Sequence, residues 1–294
     1  MKPAADLNMA LLQLDLVWEN PDANIAAIDT MMRDPQIDSE ACDILVLPEM
    51  WATGFTMNPA QQGLPWSTSC AHSQESWPAP LHAMQRWSRQ HNTAVVGSLS
   101  CNLLDEGRCV NRCFFMTPDG LKGWYDKRHL FRFAGEDASY SPGTEHVIIP
   151  WRGWNILLQI CYDLRFPESS RNEADSPYDL ALYVANWPEV RTSAWKTLLQ
   201  ARAIENQAYV CGVNRIGGRC QWNQSQRIKC HSPPERPTHR HLSASRNALG
   251  VCDTEQSGIE RLPKPLPRSA RRDLIVCDQT NAFKPVTSKP VISK

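Results

Sequence analysis

This chain of 294 residues has no excess of charge of either sign: 31 Lys and Arg stand against 31 Asp and Glu. That balance gives no electrostatic reason to expect a nucleic acid or an anionic membrane surface as partner. Long apolar runs are also missing, and none approaches the ~18 residues that suggest a membrane-spanning helix. The N-terminus, MKPAADLNMALLQLDLVWEN, has acidic residues inside its apolar stretch and so lacks the uncharged core of a secretion signal. The expected location is the cytoplasm. Of the 11 cysteines none forms a C-x-x-C pair, and an odd, scattered set without a signal argues against a disulfide framework. Most of these thiols fit small buried hydrophobes. Internal repeats are absent too.

What is present, up to about Ile216, is an alternation of apolar runs with helical periods. Strands are expected at 8–17, 43–47, 92–99, 154–161, 180–185 and 208–214. A hairpin joins 112–116 to 123–126 through Pro118, Asp119 and Gly120. Helices are expected over 21–32 (Ile25, Ile28 and Met31 or Met32 on one face), 80–90 and 192–206, with a helix start over 167–173. Strand–helix alternation implies an α/β domain built on a largely buried sheet.

Three stretches carry chemistry-bearing residues just past apolar strands: LPEMWATGF (47–55) with Glu49, WYDKRHLF (124–131) with Lys127, and LLQICYDLRFPE (157–168) with Cys161. The carboxyl edge of an α/β sheet is where ligands and catalytic side chains gather. A thiol needs a neighbour to take its proton before it is a good nucleophile, and Glu49 is a candidate base. Lys127 and the backbone N–H of Tyr162 are candidate donors to an oxyanion. Taken singly, the same residue types also fit two surface charges and a core thiol.

The stretches PEMWATGFTMNP (48–59), DKRHLFRFAGED (126–137), SPG (141–143), CYDLRFPE (161–168) and 185–217 resemble the nitrilase (carbon-nitrogen hydrolase) superfamily, in order and in register, and most of all its bacterial omega-amidases. The resemblance spans about 7–216. It implies a four-layer α-β-β-α sandwich and a triad of Glu49 as general base, Lys127 as transition-state stabiliser and Cys161 as nucleophile. It implies a second glutamate behind the lysine, for which Glu136 is placed, although a loop carboxylate fits that position equally. No metal or organic cofactor is implied. The implied reaction is hydrolysis of the terminal amide of short 2-oxo dicarboxylic acid monoamides through a cysteine thioester. The partner is then a small-molecule amide, and a homodimer is the family's expected assembly. Other superfamily activities (aliphatic amidase, carbamoylase, nitrilase) remain open, and a substrate panel separates them. A substrate carboxylate needs a cation, and Arg128, Arg132, Arg165 and Arg191 lie near the motifs. Phe55, Phe131 and Trp187 are candidate pocket walls. Tyr162, Phe55, Arg165 and Trp187 are the substrate-binding set carried forward.

After Gly217 the character changes. Residues 217–294 hold Trp222 and Phe283 as their only aromatics and are interrupted by eight prolines between Pro233 and Pro290. Such a stretch has little to bury and is expected to be irregular. The family's closing strands and dimer-forming tail are not legible there. The expected organisation is a hydrolase domain over 1–216 and an atypical tail over 217–294. The hypothesis for the tail is a shifted reading frame, with an inactive remnant as the rival functional reading. Cys220, Cys230, His231, His239, His241 and Cys252 match no standard zinc spacing. The basic run 267–272 reads as a solvated charge run.

Overall fold

The computed structural model describes residues 6–33, 42–67, 69–70 and 73–217, with the backbone of three short strands at 242–243, 251–253 and 258–262. In chain order the elements are β1 (Leu7–Leu11), α1 (Pro21–Met31), β2 (Ile44–Val46), α2 (Pro59–Gln62), β3 (Leu64–Trp66), α3 (Ala79–His91), β4 (Ala94–Leu103), β5 (Arg108–Thr117) and β6 (Gly120–Asp126). They continue with α4 (Glu136–Ser139), β7 (Ile148–Trp151), β8 (Trp154–Ile160), β9 (Leu180–Ala185), α5 (Thr192–Asn206), β10 (Tyr209–Asn214), β11 (Leu242–Ser243), β12 (Val251–Asp253) and β13 (Gly258–Leu262).

Two sheets result. One runs β11-β13-β1-β2-β4-β5-β6, with β3 added on β4; the other runs β12-β10-β9-β8-β7. The period of two along each strand sends alternate side chains to opposite faces. Ile44, Val46, Ala94, Val96, Cys113 and Phe115 therefore face β8, β9 and β10 in one core. Their neighbours Leu45, Val95, Phe114 and Met116 face outward, into a second core with Ile28 of α1 and Leu81, Met84 and Trp87 of α3. Trp195, Leu199 and Ala203 cover the far side of the second sheet from α5. These layers make the expected α-β-β-α sandwich.

Local chemistry explains several boundaries. α1 starts where Asn20 accepts from the Ala23 N–H and Pro21 has no N–H to satisfy. Its expected apolar face is only part of what it buries. Asn24 is also buried, bonding the Val17 and Ala52 carbonyls at 2.8 and 2.7 Å and so tying both flanking loops to the helix.

Some expectations need correction. The strand expected over 8–17 stops at Leu11, because β13 and β2 flank only that part of it. The helix start at 167–173 is a single 3-10 turn, Pro167–Ser170, pinned by Ser169 on Gln159 and by the Ser170 carbonyl on Tyr178. The hairpin is longer than expected and carries an irregularity at Phe115 and Met116. Of the tail the structure describes three short strands, with β13 antiparallel to β1 and β12 parallel to β10. Of the tail's six candidate metal ligands Cys252 lies on β12, and the other five and the basic run 267–272 fall outside the described residues.

Candidate active site

Glu49 follows β2 after Leu47 and Pro48 and is fully buried. Its backbone and side chain bridge the two sheets: Asn186, just past β9, donates its N–H to Glu49 Oε2 at 2.8 Å. Met50 next to it takes a left-handed φ of 47° and donates its N–H to the Ser98 hydroxyl. The chain turns sharply there, and the carboxylate projects between the sheets.

Lys127 comes from the end of β6, one residue past Asp126. That strand end is held by a bidentate pair from Arg112 to Asp126 at 2.6 and 2.8 Å, with the Arg112 guanidinium over the Trp66 and Trp124 rings. The Lys127 N–H donates to the Asn111 carbonyl, and the Lys127 carbonyl accepts from the Gly143 N–H, both at 2.9 Å. A Cβ at Gly143 would lie 2.3 Å from the Asp126 carbonyl oxygen, so the close passage of the Ser141-Pro142-Gly143 segment needs a residue without one.

The fully buried ammonium of Lys127 touches three carboxylate oxygens: Glu49 Oε1 at 2.8 Å and Glu136 Oε1 and Oε2 at 2.9 and 2.8 Å. Glu136 is thus drawn in as the second glutamate and is not a solvated loop carboxylate. Its Oε2 also accepts the Phe131 N–H at 2.6 Å. Burial alone would favour loss of the lysine's proton. The two carboxylates reverse that and hold the ammonium charged far above its ordinary range. Burial pushes the Glu136 carboxyl up, with Lys127 opposing it and Glu49 adding to it.

Cys161 stands at the end of β8 with φ of 45°, in the left-handed region a β-substituted residue seldom occupies. This bend starts a 3-10 turn, Cys161–Arg165, and turns the thiol out of the sheet toward Glu49. Burial pushes the thiol's pKa well up; Glu49 adds to that, while Lys127 and the Asn186 N–H oppose it. A neutral thiol needs a base before it becomes a good nucleophile. None of the described cysteines forms a disulfide with another, and all but Cys109 are buried.

Sequence reasoning missed three residues that hold this cluster. Asn111 on β5 donates Nδ2 to Glu49 Oε1 at 2.8 Å and to Glu136 Oε1 at 3.3 Å. Asp163 is fully buried and accepts from Ile160 N, His129 N and the Tyr125 hydroxyl at 2.8–2.9 Å, with His129 Nδ1 also at 2.9 Å. It thereby ties the Cys161 turn to the loop after Lys127. Asn186 is the third. A polar residue inside an apolar strand, as in CVNRCFFM, was the available signal for Asn111.

The candidate walls are placed as follows. Phe55 faces the Lys127 ammonium at 5.2 Å, and Tyr162 packs on Phe131 at 5.0 Å. Trp187 is buried against Trp195, and Arg165 lies over its face at 5.2 Å. Arg191 lies over Phe131 and Phe133. Arg132 is turned to solvent near Asp137 and is not brought to the cluster. Arg165 and Arg191 meet no carboxylate among the described residues. Those residues also contain no group of three or more His, Cys, Asp or Glu able to hold a metal ion.

Two stacked sheets flanked by helices, with a bent, buried thiol between a carboxylate and a clamped lysine, define a hydrolytic sandwich of the thiol type. The chain belongs to the carbon-nitrogen hydrolase family, whose model matches residues 8–243. It is 47% identical over 211 residues to an omega-amidase YafV of Yersinia enterocolitica, covering 72% of this chain and 75% of that protein. It is 28% identical over 271 residues to a 2-oxoglutaramate amidase of Bacillus subtilis, covering 90% of this chain and 98% of that protein. A crystal structure of a CN-hydrolase superfamily protein from Xanthomonas campestris, with an arsenic adduct in its active site, superimposes with a TM-score of 0.65 at 35% identity. That match covers 74% of this chain and 78% of the other. This chain is accordingly an amide-hydrolysing enzyme.

Proposed function

We propose that the enzyme cleaves the terminal amide of short 2-oxo dicarboxylic acid monoamides, 2-oxoglutaramate or 2-oxosuccinamate, to the acid and ammonia. The observation that carries this reading is the Lys127 ammonium held by three carboxylate oxygens within 2.9 Å, beside a buried thiol. The names of the relatives supply the substrate class.

In the proposed cycle Glu49 takes the Cys161 proton as the sulfur attacks the amide carbon. Lys127 and the Tyr162 N–H stabilise the resulting oxyanion. The C–N bond breaks, and ammonia leaves with the proton returned by Glu49. Water then gives a proton to Glu49 and attacks the thioester, releasing the acid and the thiol. Glu136 holds the lysine charged and in place. Phe55 and Trp187 wall the cavity, and Arg165 is the proposed cation for the substrate carboxylate.

The test is ammonia release by the purified chain from 2-oxoglutaramate and succinamate, beside Cys161→Ala. Release from both that vanishes in the variant supports the reading. A folded wild type that spares both substrates sinks the substrate class.

The reading carries a cytoplasmic location and a homodimer with it, the latter read by sedimentation. It also assigns the hydrolytic domain to 1–216, with a shifted frame as the origin of the tail. Sequencing the locus reads that origin directly, and an intact frame removes it.

A further inference from the structure

Two buried carboxylates that share one lysine leave a net negative charge, and burial pushes the Glu136 carboxyl up. A proton taken up on Glu136 weakens its hold on the Lys127 ammonium. Among the described residues one side chain besides Lys127 hydrogen-bonds to both carboxylates: Asn111. It is fully buried on β5, its Nδ2 reaches Glu49 Oε1 at 2.8 Å and Glu136 Oε1 at 3.3 Å, and its carbonyl accepts the Lys127 N–H at 2.9 Å. One residue therefore contacts the backbone of the lysine and the carboxylates on either side of it.

We infer that Asn111 is a positioning residue that keeps Glu136 ionised and both carboxylates aimed at Lys127, and so sets the acidic limit of the hydrolase. The inference rests on the proposed role of Glu49 as base but not on the identity of the amide. The amide is neutral, so its donors stabilise both anions without adding a charge that competes with Lys127 for them. Its Oδ1 accepts no hydrogen bond among the described residues. A buried amide held with its acceptor unsatisfied is costly, and such a cost fits a site where the donor end is what matters. The raised Glu136 carboxyl, which Glu49 pushes further, is the tendency that Asn111 resists.

The groups facing the pair are few. Lys127 comes from the loop after β6 and Cys161 from the end of β8, and the thiol stays neutral at rest. Tyr140 closes α4, donating to the Thr56 carbonyl and bonded to the Ser100 hydroxyl, and burial holds its phenol neutral. None of these takes over from Asn111 as a neutral donor to both carboxylates.

The sign of the effect follows. Donors to a carboxylate favour its charged form, so their removal lets Glu136 bind a proton at higher pH. The acidic limb of kcat/KM reports that uptake. It moves upward by about one pH unit in Asn111→Ala, and at least as far in Asn111→Asp, which adds a third negative charge without changing the side chain's size. On the acidic side the loss in kcat/KM is then about tenfold greater than on the plateau.

The experiment measures kcat/KM against pH for wild type, Asn111→Ala and Asn111→Asp, using succinamate and, separately, p-nitrophenyl acetate as an amide-independent acyl donor. Thermal melts accompany each protein. The isosteric Asp variant carries the test if the Ala variant does not melt cooperatively. An upward shift of the acidic limb in a folded variant supports the role. An unmoved limb with a proportionate fall in activity and melting temperature overturns it, because packing alone would do that. A wild type that cleaves the ester and not the amide removes the proposed substrate and leaves the limb to decide on Asn111. A wild type that cleaves neither overturns the base assignment and this inference with it.

Discussion

Each side chain at the centre of the cluster is balanced by another. Burial and Glu49 both push the Cys161 thiol toward its neutral form, and in the proposed cycle Glu49 also takes its proton. Those two effects separate in a variant. Glu49→Gln removes the base and is expected to lower kcat by about 100- to 10,000-fold. The same change removes a negative neighbour, so Cys161 is expected to be alkylated by iodoacetamide at least as fast as in wild type at equal pH. Loss of both turnover and alkylation would mean that the variant has lost its fold or that Glu49 does not face the thiol. Lys127→Met leaves Glu49 and Glu136 buried without a counter-charge. A comparable loss of activity is expected there together with a lower melting temperature, because an unpaired buried charge is strongly destabilising.

At the scale of elements, placement depends on what lies just beyond each strand. β2 ends two residues before Pro48, β6 ends at Asp126 and β8 ends just before the left-handed Cys161, and the candidate side chains Glu49, Lys127 and Cys161 follow these endings. Gly143→Ala tests one of these endings. A methyl group there collides with the Asp126 carbonyl and forces the Lys127 segment to shift. The expected cost is about 1–3 kcal/mol of stability, with a larger relative loss of kcat than a surface Gly→Ala change; chemical denaturation and initial rates read both. Much of this level was legible in the sequence. β9 and α5 fall on the expected residues because a continuous apolar run and a helical period mark them. Glu49, Lys127 and Cys161 stood out because a polar group directly follows each apolar strand. Asn111, Asp163 and Asn186 did not stand out. Each serves a partner far away in the chain, and only the folded arrangement shows why a polar group is buried there. The shortened β1 and the 3-10 turn after Cys161 were hidden for the same reason, since neighbouring strands and side chains set their ends.

At the scale of the whole molecule, the cluster sits in the space between two sheets, so the packing of those sheets is part of the chemistry. Glu49 from one sheet is bonded to Asn186 at the end of β9 in the other, and a small slide of one sheet would break that link. The tail borders both sheets through β13 on β1 and β12 on β10. Removing residues 218–294 is therefore expected to bare two strand edges, and bare edges template association. Size-exclusion chromatography with light scattering should show higher-order species for the truncated chain and a defined species for the full one. Equal behaviour of the two would show that the tail strands contribute nothing to edge protection.

The central claim is that amide cleavage passes through a covalent acyl group on Cys161, and rapid acid quench followed by peptide mass spectrometry tests it most directly. Mixing the enzyme with succinamate and quenching during turnover should show an added succinyl group on the peptide carrying Cys161, absent in Cys161→Ala. Turnover with no adduct on that peptide, or with the acyl group on another residue, would contradict the account.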